Sequence, residues 1–511
     1  MDPYERFKQV LANVLTFCRC GGEVTLRGYQ EKVALAIIKG VKSGKGLTFV
    51  VMYPRQSGKN ELQSHLEAYL LVMCSNMDME MVKVSPTWKP QSLNAMRRLE
   101  RTLTKNLMTR DLWCKEQGYI YRIGETRIYF LSGGPTANVV GATANLLLSC
   151  DEAQDVQITK WDKDFSPMAA STNATRVFWG TAWTSRTLLA RELRAARKSE
   201  EEDGIKRVFV IDAEAVAKEV PAYGEYVAEQ IRKLGRNHPL IKTQYFCEEI
   251  DAEGGMFPPE RRVMMKGDHP RKIEPEPGGI YAFCIDVAGE DEAATNELGL
   301  ATSDQLRNPG RDATALTIFE IDLKTLKDPL INAPTYRVIN RMSWVGISHT
   351  KIYGELRGLA DLWDPRYLVV DSTGVGAGLA SFLDKAFPGK VLPFNFTMKS
   401  KSDLGWNFLA VCDTGRFKDH VTTEKTFSYD WRDLFWLQLE HTQYEALENK
   451  ILRWSVPDGT RDLATGELVH DDLVLSAALV AVLDEQEWYV TGKPLIVRRR
   501  DPLEEMDEIG F

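Results

Sequence analysis

Apolar and polar positions along the chain fall into two different patterns, one in each half. In the first half, short β-rich runs alternate with helical stretches: LTFVVMY, EMVKVSP, YIYRIG, TRIYFLSG, NLLLSCDEA and RVFWGTAWT. That alternation predicts an α/β domain built on a largely parallel sheet. In the second half, GGIYAFCIDVAGE predicts a strand ending in Asp286, and DATALTIFEIDL with PTYRVINRMSWVGI predicts two more strands in a meander. A helical stretch over 354–364 follows, then the short strand YLVVD ending at Asp371, then a helix opened by GVGAGLASFL. The last strong signal, HDDLVLSAALVAVL, predicts an almost wholly apolar helix with Asp471 and Asp472 at its head. Between the halves, residues 271–280 (RKIEPEPGGI) hold two prolines and two glycines and are the predicted linker. The charged run at 191–203, RELRAARKSEEED, predicts a solvated helix and loop.

A chain of 511 residues is too long for one core, which agrees with two or more domains. With 44% hydrophobic and 27% charged residues the balance is that of an ordinary globular protein. No apolar run has the length a bilayer needs, and the N-terminal MDPYERFKQV lacks the apolar centre of a signal peptide, so a cytoplasmic location is expected. The eight cysteines have no metal-ligand spacing, and buried reduced thiols are expected. A net charge of −8 excludes a protein that coats nucleic acid with a globally basic surface; any DNA contact must use a local patch.

The tripeptide SGK occurs at 43–45 and again at 57–59. A phosphate-binding loop has to follow a strand and open a helix, so that free N–H groups and the helix dipole both face the phosphates. Only the second copy does, because LTFVVMY precedes it and NELQSHLEAYLLV, apolar at Leu62, Leu66, Tyr69 and Leu70, follows it. Gly58 permits close approach, Lys59 is placed to reach the β- and γ-phosphates, and Arg55 adds a charged donor fork. The loop departs from G-x-x-x-x-G-K-[ST] twice: the first glycine is missing, and Asn60 replaces the hydroxyl residue that holds magnesium.

Downstream, NLLLSCDEAQD delivers Asp151 and Glu152 at the end of an apolar strand, where an open α/β sheet binds its ligand. Asp151 is the candidate Mg²⁺ ligand and Glu152 the group that polarises the attacking water. A third strand, RVFWGTAWT, ends in Gly180, Thr181 and Thr184, beside the expected γ-phosphate position. In the second half Asp286, Asp371 and Asp472, with Asp471 beside it, come from two strand ends and one helix start. Such a set suits two cations that activate a water and stabilise a leaving oxygen. The strand order predicts a ribonuclease-H-like nuclease, with Asp312 as a candidate extra ligand. Lys399 and Lys401, among aromatics in FTMKSKSDLGWNF (396–408), form a candidate DNA-backbone clamp on a loop.

Taken in order, these motifs resemble the large terminase subunit of tailed bacteriophages, over about residues 29–483. RGYQ, PRQSGKN, LLLSCDEA, WGTAWT, CIDVAGE, LVVDSTGVGAG and HDDLVLSAAL carry the resemblance. It implies an N-terminal P-loop ATPase domain of the ASCE type over 1–270, with a lid at 186–270. A linker at 271–280, a ribonuclease-H-like nuclease domain at 281–490 and a C-terminal tail at 491–511 complete the expected division. Gln30 is then expected to read adenine, and Arg55, Gln56, Ser57, Gly58, Lys59 and Asn60 to form the ATP loop. Thr181 and Thr184 would couple hydrolysis to movement. Lys59, Glu152, Asp286, Asp371 and Asp472 would be catalytic, and Asp151, Asp286, Asp371, Asp471 and Asp472 would bind Mg²⁺, or Mn²⁺ at the nuclease site.

The implied partners are double-stranded DNA, a portal and procapsid, and a small terminase subunit. The implied state is a monomer in solution and a ring when packaging, in the host cytoplasm and without a membrane. Where relatives carry an arginine before a glycine ahead of the Asp–Glu strand, this chain has Val140 and Gly141, leaving Arg97, Arg98 and Arg101 as arginine-finger candidates by location. The tail, with Arg498, Arg499 and Arg500 before LEEMDE, is a candidate docking arm. Two rival functions share the motifs: an ATP-dependent helicase or repair nuclease, and a non-catalytic ATP-binding DNA scaffold.

Overall fold

The apolar runs of the first half form one eight-stranded sheet. Its strands are β1 (Thr48–Met52), β2 (Glu80–Ser85), β3 (Trp113–Glu116), β4 (Ile120–Ile123), β5 (Thr126–Ser132), β6 (Leu147–Cys150), β7 (Thr175–Gly180) and β8 (Val208–Val210). This is a computed structural model, and it describes residues 3–135, 137, 141–251, 253–290, 312–421, 431–447, 450–462, 466–486 and 488. Val140 and the tail at 491–511 lie outside the described residues.

The strand order is β3-β4-β5-β2-β6-β7-β1-β8. From β5 to β8 every pairing is parallel, and β3 and β4 close one edge antiparallel. Parallel strands need cover on both faces, and the alternation of side chains supplies it. Phe49 and Val51 pack with Trp179 and the helices Gly28–Ser43 and Lys59–Met73, while Val50 and Met52 pack with Phe178, Leu148 and the helix Leu188–Asp203. Because β1 and β6 flank β7, the loop after β1 and the acidic pair after β6 open on the same edge, one strand apart. This interposed strand is the ASCE-type arrangement.

The second sheet has seven strands in the order β10-β16-β13-β12-β11-β14-β15. They are β10 (Lys266–Pro270), β11 (Tyr281–Asp286), β12 (Ala313–Asp322), β13 (Thr335–Val345), β14 (Tyr367–Asp371), β15 (Val391–Phe394) and β16 (Phe417–Val421). β11, β12 and β13 form the expected antiparallel meander, and β14 and β15 continue it parallel to β11. Counted from β11, the five strands stand in the order 3-2-1-4-5, the ribonuclease-H-like topology. A third sheet, β18-β17-β9, joins β9 (Glu253–Gly255) to the hairpin β17 (Gln443–Ala446) and β18 (Leu452–Ser455).

Three expectations are corrected here. The proline- and glycine-rich segment 271–280 joins β10 to β11, parallel strands of the second sheet with β16, β13 and β12 between them, so it crosses over that sheet rather than between domains. Its composition marks an irregular connection, which a sheet crossover needs as much as a linker does. Residues 396–408 are not a loop: the helix Met398–Asp413 begins there, its N-terminus held by a Thr397–Ser400 capping box. Trp406 and Phe408 are buried on it. The apolar helix after His470 is shorter than predicted, running as Asp472–Ala478 and continuing as the 3₁₀ segment Leu479–Glu485. Of the eight cysteines, six are buried and none is paired. Among the described residues no helix is long and apolar enough to cross a membrane.

Between β13 and β16 lies an ion pair fully out of water. Arg341 donates to Asp419 Oδ1 at 2.6 Å and lies over the Phe435 ring at 3.9 Å, and Trp436 Nε1 donates to Asp419 Oδ2 at 2.7 Å. Removing one partner of such a pair leaves the other charge buried, at a cost of about 3–5 kcal/mol. Asp419→Ala is therefore expected to lower the urea stability of the C-terminal half by about that amount. Asp433→Ala, which breaks an exposed pair with Arg432, should change it by less than about 1 kcal/mol. Equal effects of the two substitutions would contradict this.

Candidate nucleotide and metal sites

The chain leaves β1 at Met52, turns through residues 53–58 and enters the helix Lys59–Met73. The turn needs left-handed backbone twice, at Gln56 (φ 61°) and Gly58 (φ 93°). At Gly58 conformation favours glycine, and a Cβ would also stand 2.7 Å from Gln30 Nε2 and displace that amide. The loop is braced from the helix Gly28–Ser43: Tyr29 Oη donates to Ser57 O at 2.7 Å and Gln30 Nε2 donates to Gly58 O at 3.1 Å. Gln30 Oε1 meanwhile accepts from Arg27 N at 3.0 Å. Both amide atoms of Gln30 thus serve the loop and the helix start.

Over the loop opens a cavity of ≈ 690 Å³ lined by Arg55, Gln56, Gly58, Lys59, Asn60, Glu152 and Thr181, among others. Ser57 is buried beneath it and donates to Pro54 O at 2.7 Å. Thr184 is also buried; it is bridged to Ile250, and its carbonyl accepts from the Thr187 hydroxyl. Of the three arginines considered by location, Arg98 borders the cavity, donating to Glu61 Oε2 at 2.9 Å.

Lys59 is buried with its ammonium 2.5 Å from Glu152 Oε1 and 3.1 Å from Asp151 Oδ1. Burial works against the charge on Lys59, but the two carboxylates outweigh it and hold the pKa above its ordinary value. Burial pushes Asp151 upward, and Lys59 and Lys83 overcome it to hold the carboxyl below the usual range. Lys83, on β2, is itself paired with Glu67 at 2.7 Å in the core behind the site. Gln63 Nε2 donates to Asp151 Oδ1 at 3.0 Å and lies 3.5 Å from Asn60 Oδ1. Glu152 stands in left-handed backbone (φ 47°), which turns its side chain out of the strand direction. Its Oε2 accepts from Gln154 Nε2 at 2.7 Å, and Gln154 Oε1 accepts from Thr181 N at 3.2 Å. A single glutamine therefore ties Glu152 to the end of β7. Sequence reasoning misses Gln63, Lys83 and Gln154; the polar residues directly after the acidic pair, Gln154 and Asp155, are the one visible hint.

The second site stands at the ends of β11 and β14, which pair up to Ile285 and Val370; Asp286 and Asp371 are the next residue of each. Asp472 opens the helix Asp472–Ala478 and accepts from Ala313 N, on β12, at 3.0 Å. A bond between Thr317 and Ser476 at 2.6 Å fastens that helix to β12. All three carboxylates are buried. Burial, then Asp472, Asp371 and Asp471, push Asp286 well above the usual carboxyl range, with Lys401 opposing. Burial raises Asp371 and Asp471 as well, and raises Asp472 to about 8. These groups thus form an acidic pocket short of positive charge, the donor chemistry that suits divalent cations. Among the described residues no three acidic, histidine or cysteine side chains are grouped closely enough to hold an ion as they stand, so the set is open rather than closed. Asp312 is exposed and pairs with His470 Nδ1 at 2.8 Å.

Lys399 and Lys401 part company. Lys399 is exposed, whereas Lys401 faces the acidic pocket, 3.7 Å from Asp471 and 5.2 Å from the Trp454 ring. The aromatics expected to interleave with them, Trp406 and Phe408, are core residues.

No family model matches the chain, and no curated protein matches it. Solved structures do. The HK97 bacteriophage large terminase is 13% identical, over 94% of this chain and 100% of that chain, with a TM-score of 0.42. The large terminase of a thermophilic bacteriophage is 11% identical, over 90% of this chain and 99% of that one, at a TM-score of 0.46. The large terminase nuclease of the thermophilic phage G20c, solved with bound magnesium, is 17% identical over 45% of this chain and 96% of its own, at 0.30. The chain is similar in fold to phage large terminases.

Proposed function

We propose that the protein is a large terminase subunit, which drives viral double-stranded DNA into a procapsid with ATP and cuts concatemeric DNA. The observation that supports this best is the pairing of two sites in one chain. A braced phosphate loop faces Glu152 on an ASCE-type sheet, and three buried carboxylates stand at two strand ends and one helix start of a ribonuclease-H-like sheet. The same proposal includes the portal and a small terminase subunit as partners, a monomer that becomes a ring during packaging, and action in the host cytoplasm.

At the first site, Arg55, Lys59 and the loop N–H groups would hold the phosphates of ATP. Asp151, with Asn60 beside it, would hold Mg²⁺. At the second, Asp286, Asp371 and Asp472, with Asp471, would hold Mg²⁺ or Mn²⁺. Bound cations supply charge neutralisation on phosphate oxygens and a more acidic water. Lys59, held by carboxylates in the described state, is the group an incoming phosphate would compete for. Glu152, aimed by Gln154, would take the proton of the attacking water. Because Gln154 also accepts from Thr181 N, displacement of Glu152 would be felt at the end of β7.

Three outcomes follow. Glu152→Gln should lower ATP turnover by roughly 10²–10⁴-fold while the protein still binds nucleotide; a variant as active as wild type would leave only a scaffold role for ATP. Supercoiled plasmid should be cut by wild type with Mg²⁺ or Mn²⁺ and left intact by a folded Asp371→Ala; cutting by both would exclude the three-aspartate site. The third concerns pH. Asp472 has a raised pKa in the fold, so its contribution to stability is full below about pH 4 and is lost as pH rises through about 8. In EDTA, Asp472→Asn should therefore unfold at higher urea than wild type at pH 8, with the gain shrinking toward about pH 4. It should also fail to cut DNA. A gain that is constant with pH would contradict the assignment.

A further inference from the structure

The nucleotide cavity is lined by one side chain from the far half of the chain. Lys450 stands in the turn of the β17–β18 hairpin and reaches the cavity wall, its Nζ 3.4 Å from Asp155 Oδ2. Asp155 Oδ2 also accepts from Gln154 Nε2 at 3.2 Å, the same nitrogen that holds Glu152. Lys450 therefore lies on the Glu152 side of the cavity, where the attacked phosphate of a triphosphate belongs.

Its position is built. The backbone at Lys450 is left-handed (φ 65°), a conformation uncommon for a non-glycine residue. Lys450 O accepts from Trp406 Nε1 at 3.3 Å, and Leu447 O accepts from Trp183 Nε1 at 3.1 Å. The rings of Trp183 and Trp406 meet edge to face at 6.2 Å. Gly405 lets the hairpin seat closely, since a Cβ there would be 2.4 Å from Trp454 Nε1. The hairpin is thus fixed to the helix Met398–Asp413 below and to the chain leaving β7 above.

We propose that Lys450 is a residue of the nucleotide site: it holds the terminal phosphate of a bound nucleoside triphosphate, exchanging the Asp155 carboxylate for it. The proposal rests on the ATPase reading given above. The present partner is easily given up, because the pair is long, Lys450 is 40% exposed, and such pairs contribute little. Lys59 and Arg98, by contrast, are already held by carboxylates at 3.1 Å or less. The consequence is that a triphosphate is fully bound only while the β17–β18 hairpin is docked on the first sheet.

The test uses the full chain, with wild type, Lys450→Ala, Lys450→Arg and Glu152→Gln compared by calorimetric titration with a non-hydrolysable ATP analogue and with ADP, and by ATP turnover. Lys450→Ala should weaken the analogue about tenfold, the loss of one charge-assisted contact, and slow turnover, while ADP affinity stays within about twofold. Lys450→Arg should recover most of the loss. Equal losses for analogue and ADP would show a merely structural role and overturn the proposal, as would unchanged analogue affinity in a wild type that hydrolyses ATP. If wild type neither binds nor hydrolyses ATP, and Glu152→Gln behaves identically, the ATPase reading falls and this one with it.

Discussion

Lys59 is an ammonium taken out of water, and the fold tolerates it because Asp151 and Glu152 close on it from the end of β6, one strand away. That triangle requires β1 and β6 to end at the same edge, and it requires β7 between them at a spacing that lets a lysine side chain cross. Everything behind it serves the same condition. Lys83 and Glu67 form a second buried pair in the core below, and Gln63 fixes the rotamer of Asp151. Lys59 is already paired before any ligand arrives, so a polyanion enters by substitution.

The second sheet meets the same problem with the opposite sign of solution. Asp286, Asp371 and Asp472 are buried, Asp472 and Asp371 add to the burial that raises the proton affinity of Asp286, and Lys401 opposes it. An isolated carboxylate in such a place neutralises itself by binding a proton. A divalent cation does the same work with the carboxylates ionised, at the expense of the protons. The two halves therefore differ in kind: the first holds a buried cation already paired with two carboxylates, and the second holds buried carboxylates that lack a cation.

Strand ends are the most legible features of the sequence, for a physical reason. A run such as LLLSC or YLVVD is apolar because both sheet faces are covered, so the first acidic residue after it marks where the cover stops. Asp151, Asp286 and Asp371 are all readable in this way. Capped helices with polar first turns are harder: KSKSD reads as a solvent loop, yet Thr397 and Ser400 cap each other and the buried residues start later, at Ser402 and Leu404. Residues 271–280 show that proline and glycine report a turn without saying what it connects. Lys450 gives no signal at all, since a lysine in a polar turn is the commonest of surface residues. Its place depends on Trp183 and Trp406, which are far apart in the chain and announce only that they are apolar.

The missing glycine of the phosphate loop has a structural answer. Counting back from Gly58, the first-glycine position of the motif falls at Tyr53, which is fully buried. Its ring meets Tyr29 edge to face at 5.6 Å, and its hydroxyl donates to Tyr29 O at 3.3 Å. The loop thus gives up freedom at its start and gains an anchor to the helix that also supplies Tyr29 Oη and Gln30 Nε2 to Ser57 and Gly58. The left-handed turn moves to Gln56 instead. Asn60 follows the same logic: its amide oxygen lies near Gln63, and Gln63 donates to Asp151, so position 60 is tied to the acidic strand through a side-chain bridge. A loop braced at Tyr53, Ser57, Gly58 and Asn60 keeps its N–H groups in place without the sequence that usually guarantees it, which is why context rather than motif identifies it.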